Sequence, residues 1–79
     1  MKEEDANSVL HFLEETKGQL EGTGWQARQE DIIEFVNLIV SIIATKNLSQ
    51  GAKDWFFKLF VEEFPEFLPE CQAQGLVAL

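Results

Sequence analysis

Asp31-Ile32-Ile33-Glu34-Phe35-Val36-Asn37-Leu38-Ile39-Val40-Ser41-Ile42-Ile43-Ala44 is the stretch on which the fold turns. Wound at about 100° per residue, it puts Asp31, Glu34, Asn37 and Ser41 in one polar stripe roughly 120° wide. The apolar residues fill the remaining arc of about 240°, whereas a helix resting on one side of a small domain needs little more than about 100°. Such a helix has to be covered from several directions. Its polar interruptions keep it short of the roughly 20 apolar residues that cross a bilayer, so it does not read as a membrane span.

Upstream, Thr23-Gly24-Trp25-Gln26 fits a capping box, in which the Thr hydroxyl and the Gln side chain each satisfy a backbone N–H at a helix start. The spacing therefore predicts a helix from about 24 to 46, ended by Asn47 in the left-handed conformation. At 1.5 Å per residue it is roughly 34 Å long, the longest element of the chain. Trp25 falls on its apolar arc, and Arg28 and Gln29 fall where that arc meets water.

A first helix is predicted over about 4–21, with Ala6, Val9, Leu10, Leu13 and Leu20 on one narrow face. Glu3, Glu4 and Asp5 suit the positive end of its dipole, and Gly22 can close it. Downstream, Ser49 is the expected cap of a third helix over about 50–64, weakened at its start by Gly51. Asp54 and Lys58 have the spacing of an exposed helical ion pair. Apolar residues again spread over about 240° of this helix, among them Trp55, Phe56, Phe57, Phe60 and Phe64. Phe64-Pro65 ends it, because the residue before proline leaves the helical region and proline donates no backbone hydrogen bond. A bent connection through Glu66, Phe67 and Leu68 leads to a short helix over about 69–74, closed by Gly75. Leu76-Val77-Ala78-Leu79 is an apolar tail, expected to dock on the bundle or to recruit a partner.

The 79 residues make one domain. A chain of this size buries only about 60% of the surface its unfolded form exposes, and its single core supplies no more than about 3–5 kcal/mol of net stability. One cysteine, Cys71, and one histidine, His11, exclude an intrachain disulfide and the usual four-ligand zinc site. The reinforcement left is association. A hydrophobic fraction of 46% excludes an intrinsically disordered tail. The formal charge of −8 repels phosphate backbones and anionic membranes, so direct nucleic-acid binding is not expected. The N-terminal MKEEDANS has acids where a signal peptide needs basic residues, which makes the cytoplasm the default address.

Chemistry-bearing constellations are sparse. Nucleophilic catalysis needs a nucleophile, a base and an orienting group, and His11 sits among Asn7, Ser8, Glu14 and Glu15 on the wet side of its helix. The acid beside Cys71 raises its pKa instead of activating it. Glu14/Glu15 and Glu62/Glu63 are adjacent and diverge on a helix, while Glu30/Glu34 and Glu63/Glu66 share a face without the looped oxygen ligands calcium requires. Gly22-Thr23-Gly24 is too short, and lacks the lysine, to wrap a nucleotide phosphate. No catalytic residue, cofactor or metal is implied.

The sequence thus predicts an all-α bundle of three main helices plus a short C-terminal one, completed by homodimerisation. Trp25, Arg28, Ile32, Phe35, Val36, Ile39 and Ile43, with Trp55, Phe56, Phe57, Phe60 and Phe64, are the expected dimer or partner interface, since aromatic anchors and large apolar patches mark contact sites. The function expected is a non-catalytic protein-interaction module: a small acidic regulator, adaptor or assembly factor. Two other classes stay open, an acidic inhibitor or immunity-type protein that blocks a basic enzyme, and a carrier of a small ligand in an apolar pocket between subunits.

Overall fold

Local chemistry fixes where each helix stops. The structure, a computed structural model, describes residues 3–22 and 28–77. Within them α1 spans Glu3–Gly22, α2 Gln29–Ala44, α3 Gln50–Glu63 and α4 Leu68–Ala73, and no strand is present among the described residues. Asn47 takes the expected positive φ of 57° after α2. The Ser49 hydroxyl accepts a hydrogen bond from the Ala52 N–H at 3.2 Å, capping α3. Phe64 ends that helix with φ −129° and ψ 77°, out of the α region as a residue before proline must be. At the end of α4 the Leu76 N–H donates to the Cys71 carbonyl at 2.8 Å and the Gly75 N–H to the Gln72 carbonyl at 3.0 Å. With Gly75 at φ 74° this is a complete Schellman motif.

Two boundaries differ from the sequence reading. Helix α2 begins at Gln29 rather than 24, because Arg28 is extended, with φ −78° and ψ 145°. At 16 residues it is shorter than the 20 of α1, so α1 is the longest element. The Thr23–Gln26 capping box and Trp25 lie outside the described residues. The connection after α3 is a 3-10 turn, Pro65–Phe67, running straight into α4 from Leu68. Pro65 and Pro69 both sit in first turns, where a missing N–H leaves no helical bond broken.

Helices α1 and α3 run in the same direction, since Phe12 stacks on Phe56 and Lys17 reaches Glu63 further along both. Helix α2 runs the other way: Phe35 faces Phe60, while Ile43 and Ala44 border the hollow that Phe57 and Gln50 line. α1 packs chiefly on α3, and the segment from Pro65 through α4 packs across α2. Within the subunit the cover of α2 comes chiefly from α4 and the turn before it, and it leaves Ile33 and Leu38 exposed. Val36, Ile39 and Ile43 face inward, and Ile32, Phe35, Val40 and Ile42 are half-buried around them.

All seven phenylalanines of the chain form one connected set of rings. Phe56, Phe60 and Phe67 are fully buried at its centre. Phe60 lies 4.8 Å from Phe67 and 5.9 Å from Phe56, centroid to centroid, and Phe67 lies 5.7 Å from Phe35. Each such pair adds about 0.5–1.5 kcal/mol beyond the area it buries. The accessible surface is 5094 Å², against roughly 4,900 Å² for a folded monomer of this mass. The total surface one subunit leaves exposed is thus close to that of a folded monomer of this mass. Only Leu10, Ile33 and Leu38 remain as exposed large hydrophobics among the described residues. No described helix is long and apolar enough to cross a membrane.

The narrow face of α1 is also shifted. Val9, Leu13 and Leu20 are buried as the spacing predicts, but Phe12 and Thr16 join them and Leu10 is 46% exposed. The Thr16 hydroxyl donates to the Phe12 carbonyl at 2.8 Å, which lets this polar side chain lie in the core.

Candidate functional site

Six of the twelve expected interface residues lie inside the subunit. Val36, Ile39, Ile43, Phe56, Phe57 and Phe60 are buried in the core. Ile32, Phe35, Trp55 and Phe64 are half-buried against it, and Arg28 is exposed at the start of α2. Phe12 from α1 and Phe35 from α2 join the ring set begun by α3, which buries Phe56, Phe57 and Phe60 and leaves Trp55 and Phe64 half-buried.

The polar chemistry is dispersed. His11 Nε2 lies 2.7 Å from Glu15 Oε1 on the outer side of α1, with its side chain 76% exposed. Cys71 is buried in α4, and its thiol is pushed up to about 11, first by burial and then by the carboxylate of Glu70. The imidazole and the thiol thus occupy opposite environments, one wet and one dry. No three His, Cys, Asp or Glu side chains converge as a metal would require among the described residues. Asp54 takes a hydrogen bond from Gln50 Nε2 at 2.9 Å, in place of the ion pair with Lys58 that the spacing suggested.

Two polar junctions escape sequence reasoning because their partners come from separate helices. Lys17 Nζ lies 3.4 Å from Glu63 and 3.9 Å from Glu14, tying α1 to α3. Gln74 Nε2 donates to Asn37 Oδ1 at 3.1 Å and to Glu70 Oε2 at 2.7 Å, clasping the end of α4 to the middle of α2. The signal for the first was Lys17 lying next to the apolar face of α1, where a stem can pack and the ammonium can reach across.

The surface opens in hollows where helices meet. One, of about 520 Å³, lies between α3 and the tail, lined by the apolar Val61, Leu68, Leu76 and Val77 and the polar Asp54, Lys58, Glu62 and Gln72. Another, of about 450 Å³, lies between the start of α2 and α4, lined by Gln29, Ile32, Glu66, Pro69, Glu70 and Ala73.

No family model, curated protein or solved structure matches this chain. What the arrangement can do therefore rests on its own residues. Leu76 and Val77 pack against the core and form part of a hollow's wall, so this part of the tail is docked. Ala78 and Leu79 lie outside the described residues. Both hollows are open to solvent, whereas a small-molecule site buries most of its ligand.

Proposed function

We propose that the chain is a non-catalytic protein-interaction module, a small acidic regulator or adaptor. The observation that carries this reading is the make-up of its surface: open hollows at helix junctions, lined by apolar side chains together with charged ones, on an aromatic core. Its thiol is withdrawn into that core and its imidazole stands in water, which favours binding over chemistry. Affinity capture with the tagged chain, followed by reconstitution of a captured protein from purified components, tests it. A saturable complex of defined stoichiometry is expected; turnover of a substrate by the chain alone would overturn it.

Pairing of two copies draws its remaining support from Ile33, 37% exposed, and Leu38, 48% exposed, on the outer side of α2. Glu30 and Glu34 stand on the same outer side and oppose close approach of a second acidic copy. Sedimentation over a concentration series, at low and high salt, decides it. A mass that stays at 9.0 kDa throughout would end the pairing reading, and dimer growing with salt would support it.

The inhibitor reading is favoured by the charge of −8. Its mark is affinity for a basic enzyme that collapses as salt rises, whereas a partner held by apolar burial is retained.

A further inference from the structure

We propose that the groove between α2 and α4 binds a basic peptide segment of a partner protein. Glu66 and Glu70 take its Lys or Arg side chains, and an apolar side chain of the same segment enters against Ile32, Pro69 and Ala73. This rests on the interaction-module reading and names the site and the chemistry of the partner.

The lining itself selects for charge. Among the described residues that line this hollow, Glu66 and Glu70 are the ionisable ones, and both are acids. The hollow beside the tail differs: Asp54, Lys58 and Glu62 give its rim both signs and no preference for one partner charge. The α2–α4 groove is also held in shape. Gln74 Nε2 bridges Glu70 Oε2 and Asn37 Oδ1, so the carboxylate is oriented and α4 is pinned to α2 before any partner arrives. Such pre-organisation lowers the ordering cost of binding. Pro69 presents an apolar ring with no N–H to satisfy, while the Gln29 amide offers a donor and an acceptor to a peptide backbone. Opposite charge speeds encounter and sets orientation, and the apolar floor discriminates among basic segments.

The test uses the full chain and a fluorescently labelled amphipathic peptide of Lys and Leu, titrated by anisotropy at low and at physiological salt. A peptide with Glu in place of Lys is the control. Saturable binding of the Lys peptide alone is expected. The double variant Glu66→Gln/Glu70→Gln and the groove-filling Ala73→Trp should each weaken it about tenfold or more. Glu3→Gln/Glu4→Gln removes the same charge from the start of α1 and should change it less than about twofold. Circular dichroism of every variant shows that each remains folded. Equal loss in both double-Gln variants would reduce the effect to net charge and overturn the groove; so would unchanged binding in Glu66→Gln/Glu70→Gln, or no binding to the native chain. A partner protein retained equally by the native chain and by Glu66→Gln/Glu70→Gln would end the groove assignment while leaving the interaction-module reading in place.

Discussion

The rings of Phe12 and Phe56 stack with centroids 4.9 Å apart and planes 28° from parallel, and this contact joins α1 to the rest of the molecule. Phe56 passes it on to Phe57 at 5.2 Å and to Phe60 at 5.9 Å. Replacing Phe56 by Ala empties the centre of the ring set, at a cost of about 3–5 kcal/mol. That equals the whole net stability a single core of this size supplies. Phe56→Ala is therefore expected to show no cooperative urea transition by circular dichroism. A midpoint close to the native one would contradict the central place given to this ring.

Two glycine substitutions should act in opposite directions. Nothing lies within 4 Å of a Cβ built on Gly18 or Gly75, so neither change clashes. Gly18 is inside α1, where alanine is favoured, and Gly18→Ala should stabilise the fold by about 0.5–1 kcal/mol. Gly75 holds φ at 74° in the Schellman turn, so Gly75→Ala should cost roughly 1–2 kcal/mol. Urea midpoints of the two variants, moving apart around the native value, check this.

The buried thiol gives alkaline stability a direction. Its pKa is raised in the folded chain from 9.0 to about 11. Above pH 9 the unfolded chain therefore loses the Cys71 proton while the folded chain keeps it, and stability must fall as pH rises through this window, by at most about 1.4 kcal/mol per pH unit. Below pH 9 the group contributes no slope. The urea midpoint of the native chain should drop more steeply between pH 9 and pH 11 than that of Cys71→Ala, whose residual slope comes from other groups. Identical slopes would show that the thiol is not held out of water. Slow reaction with a thiol reagent in the folded state is the companion expectation.

Lys46, half-buried past the end of α2, holds its ammonium 4.9 Å from the centre of the Phe12 ring. A cation over a ring at a partly exposed site contributes about 0.5–1 kcal/mol. Lys46→Gln should lose about that much, and the loss should vanish when Phe12 is already Leu. A double-mutant cycle with no coupling would show that the lysine acts through its stem alone.

Much of the helical plan was legible because helix termini are local events. Asn47 in the left-handed region, the Ser49 cap, the break before Pro65 and the Gly75 turn each depend on a few adjacent residues. The start of α2 was placed too early because it was read from the capping-box pattern at Thr23–Gln26, whereas the backbone is still extended at Arg28. The core face of α1 was half-read. Val9, Phe12, Thr16 and Leu20 follow helical spacing, but a polar Thr interrupts the apolar count, and its hydroxyl is satisfied only by turning back on the Phe12 carbonyl. The candidate groove was not legible at all, since Ile32 and Glu70 are brought together by the return of α4 across α2.

From its residues alone the chain is committed to helices and to a surplus of apolar circumference on α2 and α3. What covers that surplus was settled only in three dimensions. Phe67, just ahead of α4, comes back to meet Phe35, and Phe12 reaches across from α1 to meet Phe56, so Val36, Ile39, Ile43, Phe56, Phe57 and Phe60 are buried within one subunit while Ile32, Phe35, Trp55 and Phe64 stay half-exposed around them. The physical reason is that spacing along a helix fixes which way a side chain points, whereas burial depends on what the distant chain brings to that side.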